Sequence, residues 1–327
     1  RRTVVLHLAP HEQKTYNVLQ ALITLNASLS HETDRDYFFH PSNRKALAAV
    51  MENLALACFH FAGEGFREQA EAARNLISMQ FNTPGKVLER YREASQAALS
   101  HLENALSDDN WRAHVEQGEV LYFLDAARRE LVDAWSHRIP DVQPTLTADE
   151  LMAMRHSFLN TEEAPDDIFD ELITRGLQFA ARTSSRSGPR GALNSTKNAK
   201  LGRSTDIPPE LHVAVRHSSS TKLDAILSEI LSCVSTEKVL VFSALDNVLN
   251  EIAGALQVAQ IPFLVYVSGV PQRVRNACIS EFRHKEAYRC LLMTTHVGGR
   301  GLDLHCASRV IIAEPIWQLD LESQAIK

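Results

Sequence analysis

The chain has 327 residues, enough for two domains with separate cores. Its 45% hydrophobic and 23% charged content is that of a globular chain, and a net charge of −6 excludes one that holds nucleic acid through overall positive charge, while leaving room for a local basic strip. No uninterrupted apolar run of about 20 residues occurs, so no membrane span is expected.

The first 182 residues read as helical. Val4, Val5, Leu6 and Leu8 suggest one short strand before Pro10. From His11 to Leu29 apolar residues recur at helical spacing, and Pro41-Ser42 opens a second helix with Ser42 as candidate N-cap. Further helices are expected over 66–80, 84–106 and 108–138, the last two as an antiparallel hairpin across the short Ser107-Asp108 connection. Thr147-Ala-Asp-Glu150 has the pattern of a capping box, and a last helix is expected from about Asp166 to Ala181. The apolar stripes of these helices are core by the simplest reading, with a groove for a protein partner as the competing one.

Residues 183–207 change character. They are rich in Ser, Gly and Asn and carry Arg186, Arg190, Lys197, Lys200 and Arg203 before the first acid, Asp206. Such a composition buries too little to order itself, so a basic flexible linker is expected, with contact to a nucleic-acid backbone as a second reading. From 208 to 327 the pattern is βα: strands over 238–243, 262–267, 289–294 and 309–313 alternate with helices over 222–233, 246–259 and 272–282. Apolar strands between amphipathic helices predict an α/β lobe with a mostly parallel sheet covered on both faces. The five cysteines form no C-x-x-C pair, which argues for reduced thiols and against a zinc module.

The strand Cys290 to Met293 runs into Thr294 and Thr295, then into Gly298, Gly299, Arg300, Gly301 and Asp303. Glycines let a backbone approach a ligand closely, and ligands of open α/β sheets bind at the carboxyl ends of the strands. Hydroxyls, amides and a carboxylate suit a phosphate and a ribose, although a tight turn alone gives the same glycines. Three more elements precede this one: Ser219-Ser-Thr-Lys222, the strand closing at Ser243, and Tyr266-Val-Ser-Gly269 followed by Arg273 and Arg275. In this order and spacing the chain resembles the C-terminal RecA-like lobe of SWI/SNF-type, superfamily-two helicase-like ATPases over about residues 210–327. The opening through Ala9-Pro10, with Glu12 and Tyr16, resembles the segment that follows the N-terminal lobe in that family.

The resemblance implies an ATP-driven translocase on double-stranded DNA, nuclear, working in chromatin remodelling or DNA repair. It places Gly299, Gly301 and Asp303 on the nucleotide and Gln324 at the opening of the arginine motif, and assigns Ser243, Thr294, Thr295 and one or both of Arg273 and Arg275 to DNA. Each has a plainer reading too: Ser243 as a turn cap, the arginines as a solvated helix face, Trp317 as a packing anchor. The catalytic arginines would follow Lys327, and the P-loop and the carboxylates for Mg²⁺ would precede Arg1. No G-x-x-x-x-G-K-[ST] occurs, and Thr83-Pro-Gly-Lys86 reads as a helix start. The chain is therefore expected to be a piece of a longer protein, unable to hydrolyse ATP alone. Asp303 stands where the family usually has Asn, and Glu314-Pro315-Ile316-Trp317-Gln318-Leu319 replaces its aspartate-proline, tryptophan-asparagine-proline run. These departures favour an alternative, a non-catalytic scaffold whose helical region recruits a protein partner. A dinucleotide enzyme ranks below both, because no glycine follows Ser243 until Gly254.

Overall fold

The computed structural model describes residues 2–29, 40–61, 65–83, 91–116, 118–126, 128–136, 144–159, 168–183, 213–295, 302 and 304–315. The basic segment expected over 183–207 lies outside them, apart from Thr183, the last residue of a helix. The chain forms two compact units, one of Arg1–Glu119 with Ser220–Lys222, the other of Val120–Ser219 with Leu223–Lys327.

The first unit is helical: α1 (Pro10–Leu29), α2 (Arg44–Ala57), α3 (Phe66–Asn82), α4 (Arg92–Leu106) and α5 (Asp109–Val115). Residues 2–9 form no strand, contrary to the expectation for Val4–Leu8. Ser42 does not cap α2. It sits in a 3₁₀ turn over Pro41–Asn43, and its backbone N–H donates to His40 Nδ1. The apolar spacing of α1 brings Val18, Ala21 and Leu25 against Ala98, Leu102 and Ala105 of α4. Trp111, fully buried, donates its indole N–H to Thr15 Oγ1 at 3.0 Å. Asp108 starts α5 by accepting from the N–H groups of Asn110 and Trp111, and Lys14 beside it holds its carboxyl below the usual range. Glu12, almost wholly buried, accepts from Ala9 N–H at 2.7 Å and from Thr221 N–H and Oγ1 at 3.0 and 2.6 Å.

In the second unit the expected helix over 108–138 is broken. After α5 the chain enters β1 (Leu121–Ala126) and then α6 (Arg129–Trp135). Tyr122 and Phe123 favour strand over helix, and the strand finds its partners far away in sequence: β2 (Thr145–Thr147) and β3 (Val213–Ser218) pair with it in the antiparallel order β2-β1-β3. α7 (Ala148–Leu159) starts on the expected capping box: Thr147 N–H donates to Glu150 Oε2 at 2.7 Å and Glu150 N–H to Thr147 Oγ1 at 3.3 Å. α8 (Ile168–Thr183) crosses α6 at Gly176, where an added Cβ would stand 2.8 Å from the Trp135 ring.

The rest is the expected α/β layer. α9 (Thr221–Cys233), β4 (Val239–Ser243), α10 (Asp246–Val258), β5 (Phe263–Tyr266), α11 (Gln272–His284), β6 (Cys290–Thr294) and β7 (Arg309–Ile312) alternate. The strands lie parallel in the order β5-β6-β4-β7. Every residue of β4, β5 and β6 is buried, which is why they read as continuous apolar runs. One face packs Leu240, Phe242, Leu264, Tyr266, Leu291 and Met293 on Phe282 of α11. At the opposite end of α11 from its start, Lys238 is 7% exposed and donates to the carbonyls of Phe282 at 2.7 Å and Arg283 at 3.3 Å. That ammonium satisfies carbonyls that the helix end leaves unpaired.

Candidate nucleotide and DNA edge

The sheet's register sets a row of side chains at its carboxyl edge. Ser243 pairs with Thr294 across β4 and β6, and Tyr266 with Met293 across β5 and β6. Residues directly opposite in a parallel pair share a face, and neighbouring strands lie about 4.8 Å apart. Ser243 and Thr294 are therefore neighbours on the face opposite Phe242 and Met293. The strands above them are too apolar to hold polar groups, so hydroxyls first appear where β4 and β6 end.

Ser243 is fully buried. Its Oγ lies 2.8 Å from Glu314 Oε1 and 3.0 Å from Leu245 O, either of which takes its single proton, and it accepts from Leu245 N–H at 3.0 Å. The serine thus shapes the turn into α10, as its plainer reading had it. Glu314, itself buried, also accepts from Ala244 N–H at 3.1 Å. Thr294 and Thr295 are buried as well. Thr294 Oγ1 has no hydrogen-bond partner among the described residues, so this buried hydroxyl has capacity for a ligand or water.

On the β5 side, Arg275 of α11 lies with its guanidinium 5.7 Å from the centre of the Tyr266 ring and donates to Gln272 Oε1. Its Nε has no partner among the described residues. Arg273 is exposed on the same first turn. Tyr266 thereby fixes Arg275 while Arg273 stays open to solvent. Ser243, Thr294 and Thr295 are brought together; the two arginines stand on the helix after β5, the strand next to β6. Gly299, Gly301, Asp303 and Gln324 lie outside the described residues, as does Trp317. Among the described residues no cluster of three His, Cys, Asp or Glu could hold a metal ion, so any Mg²⁺ would depend on other groups.

In the sequence Glu314 stands out only as a departure from a familial run. Its grip on Ser243 and Ala244 follows from parallel register: Ile312 pairs with Phe242, and Ala313 N–H donates to Phe242 O at 2.8 Å, so the next residue stands beside the turn after β4. Burial pushes the Cys290 thiol, at the start of β6, up to about 12, with the neighbouring Cys233 adding to the shift.

Residues 221–327 match the helicase conserved C-terminal domain. DNA repair protein RAD5 of Gibberella zeae is 35% identical over 113 residues, 34% of this chain and 10% of that protein. DNA repair protein rad8 of Schizosaccharomyces pombe is 30% identical over 110 residues, 33% of this chain and 10% of that protein. The aligned part thus spans about a tenth of these relatives' length. Among solved structures, the C-terminal part of the Fun30 ATPase domain aligns over 98% of this chain and 75% of its own, at 14% identity and a TM-score of 0.43. No helix among the described residues is long and apolar enough to cross a membrane.

Proposed function

We propose, from a chain whose residues 221–327 are the C-terminal lobe of a superfamily-two, SWI/SNF-type helicase, that it forms one side of an ATP-driven motor on double-stranded DNA in the nucleus. The observation that carries this reading is the edge itself: Ser243, Thr294 and Thr295 collect at the ends of adjacent parallel strands, with Arg273 and Arg275 on the helix after the next strand. Within it, Thr294, Thr295, Arg273 and Arg275 face the phosphates of duplex DNA, and Ser243 orders the turn beside them. Backbone amides donate to phosphate oxygens without reading sequence, and arginines add charge.

In the same reading, Gly299 and Gly301 let main-chain amides approach the phosphates of ATP, and Asp303 accepts from a ribose hydroxyl. Gln324 opens the segment leading to the arginines that stabilise the transferring phosphoryl group. ATP supplies the phosphoanhydride whose hydrolysis drives movement. Mg²⁺ and the phosphate-gripping loop belong to a partner lobe, so this lobe contributes to a shared site and does not turn over ATP by itself. The work is DNA repair or chromatin remodelling; the named relatives favour repair.

A second reading keeps the lobe as a scaffold for a protein partner. It is favoured by a cavity of about 430 Å³ between α6, α7 and α8, walled by Trp135, Ala153, Ser157, Arg175 and Phe179. ATP turnover by the full-length protein separates the two. The motor reading expects hydrolysis stimulated by duplex DNA and lost in Gly301→Val. Absence of stimulation leaves the scaffold.

A further inference from the structure

We propose that Tyr266 is a positioning residue that, with Gln272, holds the guanidinium of Arg275 ready for a phosphate of duplex DNA, while Arg273 supplies charge alone. The proposal rests on the DNA-facing role given to the two arginines above. Tyr266 closes β5, is 4% exposed, and packs in one cluster with Leu264, Met293 and Phe282. A ring set in a close-packed core is a fixed surface. The Arg275 guanidinium lies 5.7 Å from its centre.

Arginine suits such a surface, because its planar, delocalised cation stacks on aromatic faces and keeps its N–H groups at the rim for other partners. Gln272 takes one of them. Its Oε1 accepts from Arg275 Nη2 while its Nε2 donates to Asn276 Oδ1 at 2.7 Å, which fixes the amide. No other hydrogen bond to the Arg275 side chain occurs among the described residues, and its Nε is left without a partner there. The guanidinium is thus held by a ring and an amide, with donors to spare.

The charges stand against the helix's own preference. Arg273 and Arg275 begin α11, and its first turn holds no acid. The helix dipole is positive at that end, so two cations add nothing to the helix and gain from an anion brought alongside. The two arginines differ in freedom. Arg273 is exposed and has no such seat among the described residues. Ordering a long side chain on binding costs entropy, and a seat that orders it beforehand removes that cost. The share of binding that Arg275 contributes therefore depends on Tyr266, and that of Arg273 does not.

The test is duplex binding by the full-length protein, read by fluorescence anisotropy of a labelled DNA duplex at several salt concentrations. Arg275→Ala should weaken binding and flatten the slope of log Kd against log salt by about 0.9, the change for one lost phosphate contact. Tyr266→Phe keeps the ring and should bind within about twofold of the parent. Tyr266→Leu should weaken binding about fivefold in the parent and in Arg273→Ala, but less than about twofold in Arg275→Ala. A tyrosine that only stabilises the lobe gives the same loss in all three backgrounds. That outcome overturns the proposal, as does an Arg275→Ala that binds like the parent. Gln272→Ala, at an exposed position, should show the same dependence on Arg275 and keeps the test open if Tyr266→Leu does not fold. A parent protein that does not bind duplex DNA overturns instead the DNA assignment beneath the proposal.

Discussion

The parallel and antiparallel sheets of the second unit bury their strands differently. In β4, β5 and β6 every position is buried, whereas β1 exposes Asp125, and β3 exposes Arg216 and His217. Helices cover the parallel sheet on both faces, so polar side chains are pushed to the ends of its strands. The antiparallel sheet spreads them along its length. The difference teaches why chemistry concentrates at one edge of the first sheet: Ser243, Thr294 and Glu314 are held by a rigid apolar platform that tolerates them nowhere else.

The contrast is broken or sharpened by mutation. The largest effect is expected for Phe282→Ala, which empties the centre of the parallel sheet's core and should cost about 3–5 kcal/mol. Phe123→Ala on β1 removes a partly buried ring stacked 4.5 Å from His217 and should cost about 1 kcal/mol. Urea denaturation of both variants checks the pair, and equal losses would erase the distinction. Lys238→Met strips the carbonyls at the end of α11 of their donor and should cost about 1–3 kcal/mol in the same assay.

A pH effect follows in size. The Cys290 thiol titrates at about 12 in the folded chain against 9.0 unperturbed. The folded state holds this proton more tightly, so the stabilisation is complete below pH 9 and is lost as pH rises towards 12. Between pH 8 and pH 10.5 the parent should lose about 2 kcal/mol more than Cys290→Ala. Equal losses would mean that the thiol is not shielded at the start of β6. The smallest expected change in stability is that of Thr294→Val. Its hydroxyl has no partner among the described residues, so the fold should move by less than about 0.5 kcal/mol. Duplex binding, read by fluorescence anisotropy, should weaken nonetheless. A large loss of stability would show the hydroxyl to be structural.

What could be read from residues follows the same division. β4, β5 and β6 were legible because burial on both faces writes an unbroken apolar run, β7 because its Val310-Ile-Ile312 run is apolar although partly exposed, and the helices between them carry clear helical periods. β1, β2 and β3 were not, because their partners are Leu121, Thr147 and Ser218 in distant segments, and a six-residue strand inside helix-like sequence has no period of its own. At the edge, Ser243 and Thr294 were legible from their place at strand ends. The clamp by Glu314 was hidden because it depends on strand order, β4 beside β7, which no local pattern encodes. The fixing of Arg275 on Tyr266 was equally hidden, though both residues lie in one motif.

Hydrogen–deuterium exchange of the full-length protein, with and without duplex DNA and a non-hydrolysable ATP analogue, tests most directly whether this edge is the working face. Protection should rise over 243–245, 267–275 and 294–301 when both ligands are present. Unchanged exchange in those three stretches, with ligands demonstrably bound, would contradict it.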